Sequence, residues 1–417
     1  MRRSSLFFGL TLSIGLLCSA CTQQGSDANA IKVWTGMDAE YPTLLAQCEE
    51  FERQSGLKVE LLKVPFGDLR NKYLIAAPAG LGPDIIIGAQ DWVGILATAG
   101  LLDPIPQTAI NPENFFPAAV ESVKFKSQVY MAPLCMECLA VLRNKKFMPE
   151  QPATLAQLVE KAKDIQTKSG DKVKGFYFEI KQPYFSMPFL TADGGYMLGK
   201  DAQGNYVSTD IGLANEGAVK GAQFLRDLVE KDKLIQIGST DNIAQTIFVQ
   251  NQAAVVIQGP WFLDALNKAN EKAAKNGEEK IDYSIDPFPA TASGNIPKPI
   301  LGVQGFMLNK YSERKDQAAQ LISFLESDKN IADMSLASGR PPTTPGALEM
   351  CQSNPDIVSF TEICKDAVPM PTDPAVAQIW DPTKQCLEII CSGNSDIKHE
   401  LETNRERIIQ SIEMMME

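Results

Sequence analysis

The sequence predicts an α/β protein of two or more lobes, and three observations carry that reading. At 417 residues the chain is longer than one hydrophobic core ordinarily serves. Its 44% hydrophobic and 22% charged residues are the proportions of a globular protein. Its early segments switch between the two-residue period of a strand and the 3.6-residue period of a helix, which is how βαβ units read.

The first residues stand apart from that pattern. Arg2 and Arg3 precede an apolar run over 6–17, which leads into Leu17-Cys18-Ser19-Ala20-Cys21. A positive start, a short apolar core and small residues before a cleavage point predict a secretory signal over 1–20. The run is too short to anchor in a bilayer by itself. Its end resembles a bacterial lipobox, which implies cleavage before Cys21 and acylation of that thiol. The protein is then expected to be exported and lipid-anchored on the periplasmic or extracellular face of the membrane, on a polar tether over 21–30. The plainer reading is a secretory signal with an incidental cysteine.

After the tether, 31–34 alternates as a strand. Leu44, Leu45, Cys48 and Phe51 fall at helical spacing, with Gly56 as the stop. A second strand is predicted over 58–64 and a helix over 69–77. Gly82-Pro83 then leads into Asp84-Ile85-Ile86-Ile87-Gly88, whose continuous apolar run fits a parallel strand buried on both faces. A helix over 91–98 follows. A second set of units starts near 139, with helices over 154–167 and 216–230 and strands over 173–178 and 253–257. In Gly259-Pro260-Trp261 the proline takes its favoured place in a first helical turn. The polar, alanine-rich stretch 267–280 reads as a solvated helix end and loop. A strand over 301–309, helices over 314–325 and 330–337, and a helical remainder beyond Pro345 complete the pattern.

Composition excludes whole classes of chemistry. The single histidine, His399, lies in a charged C-terminal stretch, so a nucleophile–histidine site would have to be built there, and zinc sites with two or more histidines are excluded. No catalytic residue, metal or cofactor is expected. A net charge of −12 argues against a nucleic-acid partner. Seven cysteines follow Cys21, an odd number, so at least one thiol stays unpaired within the molecule. On an extended segment Cys135 and Cys138 would point to opposite faces roughly 10 Å apart, too far to bridge, and both read as core fillers. For Cys351 and Cys364 two readings stand: a bond closing a short loop, or two separate thiols.

Several blocks together resemble the extracellular solute-binding proteins of bacterial ABC sugar importers, the maltose/maltodextrin-binding branch most closely. They are Gly82-Pro83-Asp84-Ile85-Ile86, Pro183-Tyr184-Phe185 running to Ala192-Asp193-Gly194-Gly195-Tyr196, Gly259-Pro260-Trp261, and Met370 with Trp380 ten residues on. They occur in order across nearly the whole mature chain. The resemblance implies a two-lobed, periplasmic-binding-protein-like (type II) fold with a ligand cleft between lobes. By it, one lobe takes 31–134 and 291–338 and the other takes 135–290 and 339–417. It also implies ligand contacts at Asp38, Asp91, Glu137, Tyr184, Trp261, Met370 and Trp380. The sequence departs from the family pattern at Ala39 (lysine in the family), Gly88 (tryptophan), Trp92 (arginine), Gln182 (glutamate), Arg70 and Asn71 (both glutamate), Asp381 (tyrosine) and Lys384 (arginine). About half of the polar set has therefore changed. The implied partners are a small-molecule carbohydrate and the membrane permease subunits of the transporter, with the protein itself a monomer.

The same residues make physical sense as a sugar site. A pyranose offers an apolar C–H face and a rim of hydroxyls, so it suits flat aromatics set among carboxylates. Tyr184, Trp261, Trp380 and Trp92 supply faces, Asp38, Asp91 and Glu137 supply acceptors, and Arg340 and Lys384 supply donors. Each residue also has a plainer role available. Trp34, inside the first strand, reads as core, and Asp38 and Asp91 stand where helix caps stand. Arg340 lies where a salt bridge between lobes is the rival to ligand contact. The rival functions are a secreted glycosidase, the same fold carrying another cargo such as a polyol phosphate, polyamine or metal, and a surface adhesin.

Overall fold

The computed structural model describes residues 29–416 apart from 205 and 394. The expected signal, Cys21 and the tether before Asn29 lie outside the described residues. The largest sheet begins with three parallel strands. Ile31–Thr35 lies between Val59–Lys63 and Ile85–Ala89 and pairs with both in parallel. The helix between the first two, Tyr41–Ser55, buries Leu44, Cys48 and Phe51 along one stripe. It stops at Gly56, whose φ of 75° is left-handed and whose N–H bonds to Glu52 O. The helix that leads to the third strand covers Phe66–Ala76, starting three residues before the patterned stretch.

The long strand Ile300–Asn309 joins this sheet antiparallel to Ile85–Ala89, although it comes some two hundred residues later. All ten of its residues are buried. It also pairs antiparallel with Met131–Glu137, and its first residues pair in parallel with Val368–Pro369. A second sheet is antiparallel throughout, with Ala140–Asn144 between Val255–Gln258 and Tyr283–Asp286. The chain thus passes between sheets three times: after Glu137, before Ile300, and around Val368. The strand Met131–Glu137 runs three residues beyond the crossover expected at 134. The chain after Gly339 returns to the first lobe before leaving it, because Ala347, Cys351 and Ile357 pack with Leu44, Phe306 and Leu321.

Two readings need correction, and one open pair of readings is decided. The strand expected over 173–178 is reduced to single bridges from Lys174 to Ala253 and from Tyr177 to Val256. Between them Gly175 packs closely on a helix, since a Cβ there would sit 2.0 Å from Ala162 O. The stretch over 267–280, expected as a solvated helix end and loop, is for most of its length the body of the helix Leu263–Asn276, held by Leu263 and Leu266 and ended by Gly277, with loop only beyond it. Cys351 and Cys364 are not bonded. Cys351 packs in the first-lobe core with its Sγ on Ala332 O at 3.7 Å, whereas Cys364 packs elsewhere, beside Cys138. Trp34 is core, 8% exposed, with Lys72 Nζ over its ring. Among the described residues no helix is long and apolar enough to cross a membrane.

Candidate functional site

The carboxyl ends of adjacent parallel strands are where open α/β sheets leave a crevice. The segments following Thr35 and Ala89 both open onto a cleft of about 690 Å³. All ten residues singled out from the sequence line it: Asp38, Asp91, Trp92, Glu137, Tyr184, Trp261, Arg340, Met370, Trp380 and Lys384.

Asp91 opens the helix Asp91–Thr98. Burial pushes its carboxyl up to about 6, with Glu137 adding to the rise. Arg70 and a hydrogen bond from the Trp380 side chain pull the other way. Asp38 is the most open of the acids, 85% exposed at its side chain and paired to Lys63 Nζ at 2.5 Å. Glu137 ends its strand in a tighter setting, accepting from Gln304 Nε2 and Arg340 Nε, both at 3.0 Å. Arg340 also bonds to Glu40, which is 1% exposed. Its guanidinium is therefore held between two acids, Glu40 and Glu137.

The aromatic residues divide into two groups. Tyr184, in the first turn of Pro183–Thr191, and Trp261, in Pro260–Phe262, stand with ring centroids 6.2 Å apart at 47°. Gly259 makes room for that indole, since a Cβ there would lie 2.1 Å from Trp261 Cζ3. Trp380 opens the helix Trp380–Cys391, which carries Asp381 and Lys384 at its exposed start. Trp92 differs from these three. It is 5% exposed and lies on Gly88, where a Cβ would come within 2.2 Å of its ring. It therefore fills the space above Gly88, with Phe66 beside it at 5.0 Å between ring centroids. Met370 is buried, its N–H on Leu301 O at 3.2 Å.

Two polar atoms of the cleft, Tyr184 Oη and Gln304 Oε1, are buried without a hydrogen-bond partner. An orphaned buried polar group costs about 1–3 kcal/mol, so both favour a ligand that brings hydroxyls to them. Sequence reasoning missed Gln304, Phe66 and Glu40. Gln304 sits mid-strand in an apolar run, where a lone polar residue was a usable signal. Phe66, at 42% exposed, lies between the strand over 58–64 and the helix over 69–77 and carries no pattern of its own. Nothing in the local sequence of Glu40 announces a partner three hundred residues away. Among the described residues no group of acids, cysteines and histidine is placed to hold a metal ion.

The chain belongs to the bacterial extracellular solute-binding proteins, whose family model matches residues 35–332. The galactooligosaccharide-binding protein of Bacillus subtilis (strain 168) is 26% identical to it over 97% of this chain and 96% of its own. The maltodextrin-binding protein MdxE of the same organism is 26% identical over 92% of this chain and 90% of its own. The solved structure of Thermus thermophilus maltotriose binding protein bound with maltotriose matches with a TM-score of 0.83 and 30% identity. That match covers 92% of this chain and all of the other.

Proposed function

We propose that the protein captures an oligosaccharide of the maltodextrin type in this cleft and delivers it unaltered to an ABC permease in the membrane. The observation that carries the reading is one cleft combining the aromatic faces of Tyr184, Trp261 and Trp380 with the carboxylates Asp38, Asp91 and Glu137. The names of the relatives above support a sugar, and their range, from galactooligosaccharide to maltotriose, supports an oligosaccharide over a monosaccharide. The lobes close about the crossovers near residues 138, 299 and 367, because only a closed cleft brings both sets of side chains onto one ligand. The protein works as a monomer, and acylated Cys21 holds it at the outer face of the membrane.

Calorimetry on the mature protein tests this, with maltotriose as first probe and maltose, trehalose, a galactooligosaccharide and glycerol 3-phosphate as competitors. A micromolar or tighter oligosaccharide, with a smaller radius of gyration in the complex, is the expected result. Binding of glycerol 3-phosphate alone would move the cargo to polyol phosphates. Release of new reducing ends on incubation would make the protein a hydrolase. Replacing Cys21 with serine is expected to free the protein from the membrane fraction.

A further inference from the structure

We infer that Cys138 and Cys364 are joined by a disulfide in the exported protein. Their Sγ atoms lie 3.2 Å apart, so a movement of about 1 Å would bring them to bonding distance. The sulfurs come from segments that meet only through the fold. Cys138 sits at the first crossover, between the strands Met131–Glu137 and Ala140–Asn144. Cys364 sits in the last turn of the helix Pro355–Asp366, just before Val368–Pro369 pairs with the start of Ile300–Asn309. A bond here would tie the first passage between lobes to the third, with the second hydrogen-bonded alongside.

Three of the five remaining cysteines show how differently they are placed. Cys135 faces the opposite core from Cys138, Cys351 is turned to Ala332 O, and Cys386 is turned to Glu400 O at 3.5 Å. Membership of an extracellular family puts the chain where disulfides persist. Cys138 is 0% and Cys364 4% exposed, so the bond forms while the chain folds and is shielded afterwards. Formation consumes an incoming disulfide of the compartment. The two cysteine thiols lose two protons and two electrons, one Sγ–Sγ bond forms, the incoming disulfide bond breaks, and its sulfurs leave as two thiols. The tie lies directly behind the cleft, since Cys138 follows Glu137, which lines it.

The test uses the full mature chain, purified after export and also refolded from the reduced state in a mixture of oxidised and reduced glutathione. Each sample is denatured without reductant, alkylated and mapped by mass spectrometry. The expected result is one linked peptide pair, Cys138–Cys364, with Cys48, Cys135, Cys351, Cys386 and Cys391 alkylated. Reduction should lower the melting temperature by about 3 °C or more. A C364S variant should melt at that lower temperature with or without reductant. Alkylation of both Cys138 and Cys364 in exported and refolded protein would overturn the proposal, as would a linkage of either to a third cysteine. If C364S does not fold, the peptide map and the reductant-dependent melt of the natural chain decide alone. None of these readouts depends on a sugar, so the proposal fails or stands apart from the transport reading.

Discussion

Replacing Asp91 with asparagine separates what the cleft costs the fold from what it offers a ligand. Burial moves the Asp91 carboxyl from 3.8 to about 6. A shift of that size corresponds to about 3 kcal/mol. Below about pH 4 the carboxyl is protonated in the folded and unfolded chains alike, and its ionisation costs the fold nothing. Between pH 4 and 6 the unfolded chain releases the proton while the folded chain keeps it, so stability falls as the pH rises. Above about pH 6 the full cost is in place. Asparagine stays neutral throughout and keeps an oxygen for the Trp380 side chain. The variant's stability advantage over the natural protein should therefore be near zero at pH 4 and reach about 2–3 kcal/mol by pH 7. Urea midpoints of the two ligand-free proteins, followed by fluorescence and circular dichroism from pH 3.5 to 8, measure this difference directly. Calorimetry at pH 7.5 should show the opposite trend for the sugar, with affinity about tenfold lower or worse once the charged acceptor is lost. The natural protein's own affinity should decline as the pH drops below 6. A pH-independent stability difference, or a variant less stable at pH 8, would refute the assignment of a buried, reluctantly ionised carboxyl.

Trp261→Ala and Trp380→Ala should each weaken sugar binding about tenfold or more by removing a stacking face, and because both indoles pack against core residues and Trp380 bonds to Asp91, each should also lower the ligand-free melting temperature; calorimetry and thermal melts check both. Arg340→Ala leaves Glu40 and Glu137 buried without their cation and should cost about 3–5 kcal/mol in urea denaturation, whether or not sugar is present. Glu326 follows the helix Lys315–Leu325, with both carboxylate oxygens buried and unpaired and its acidity suppressed by burial. Its ionisation destabilises the fold above the ordinary carboxylate range, so Glu326→Gln should raise the unfolding free energy from urea denaturation at pH 7 by about 1 kcal/mol or more and leave sugar affinity unaltered. Gly88→Ala should displace the Trp92 ring, seen as a shifted fluorescence maximum and a stability loss of about 1–3 kcal/mol.

How much of this was legible depended on whether the relevant physics is local. Ile85–Ala89 was readable because a strand covered on both faces must be apolar at every position. The helix Tyr41–Ser55 was readable because its stripe and its stop at Gly56 lie within one window. The strand over 173–178 was misjudged because its alternation is that of a strand while its pairing reduces to bridges at Lys174 and Tyr177, which an alternation pattern does not report. The cysteines show the same division. That Cys135 and Cys138 diverge follows from strand pleat alone. That Cys364 meets Cys138 and not Cys351 depends on three passages of chain between two sheets, which no spacing encodes. Arg340 was recognised as a crossover residue, yet Glu40, its most buried partner, could not be found without the fold.

The departures from the family pattern follow the same logic at the site itself. Taken separately, a glycine at 88 reads as a lost aromatic and a tryptophan at 92 as a lost guanidinium. In the structure they are one change, because the Trp92 ring occupies the volume that any side chain at 88 would need. Apolar surface is thereby kept on that wall, by the resemblance in place of a cation, and Arg70 supplies positive charge near Asp91 from the neighbouring helix. The substitutions at Ala39, Gln182, Asp381 and Lys384 alter hydrogen-bonding groups around the cleft, whereas Tyr184, Trp261 and Trp380 keep their faces. Aromatic faces accept a pyranose with little regard to its hydroxyl pattern, but hydrogen-bonding groups discriminate strongly against a mismatched one. A site that retains the first and rearranges the second should remain a sugar site while ranking sugars differently from a maltose receptor. Maltose as the tightest of all the sugars tried, at sub-micromolar strength, would show that the rearranged groups compensate one another and that specificity had not moved.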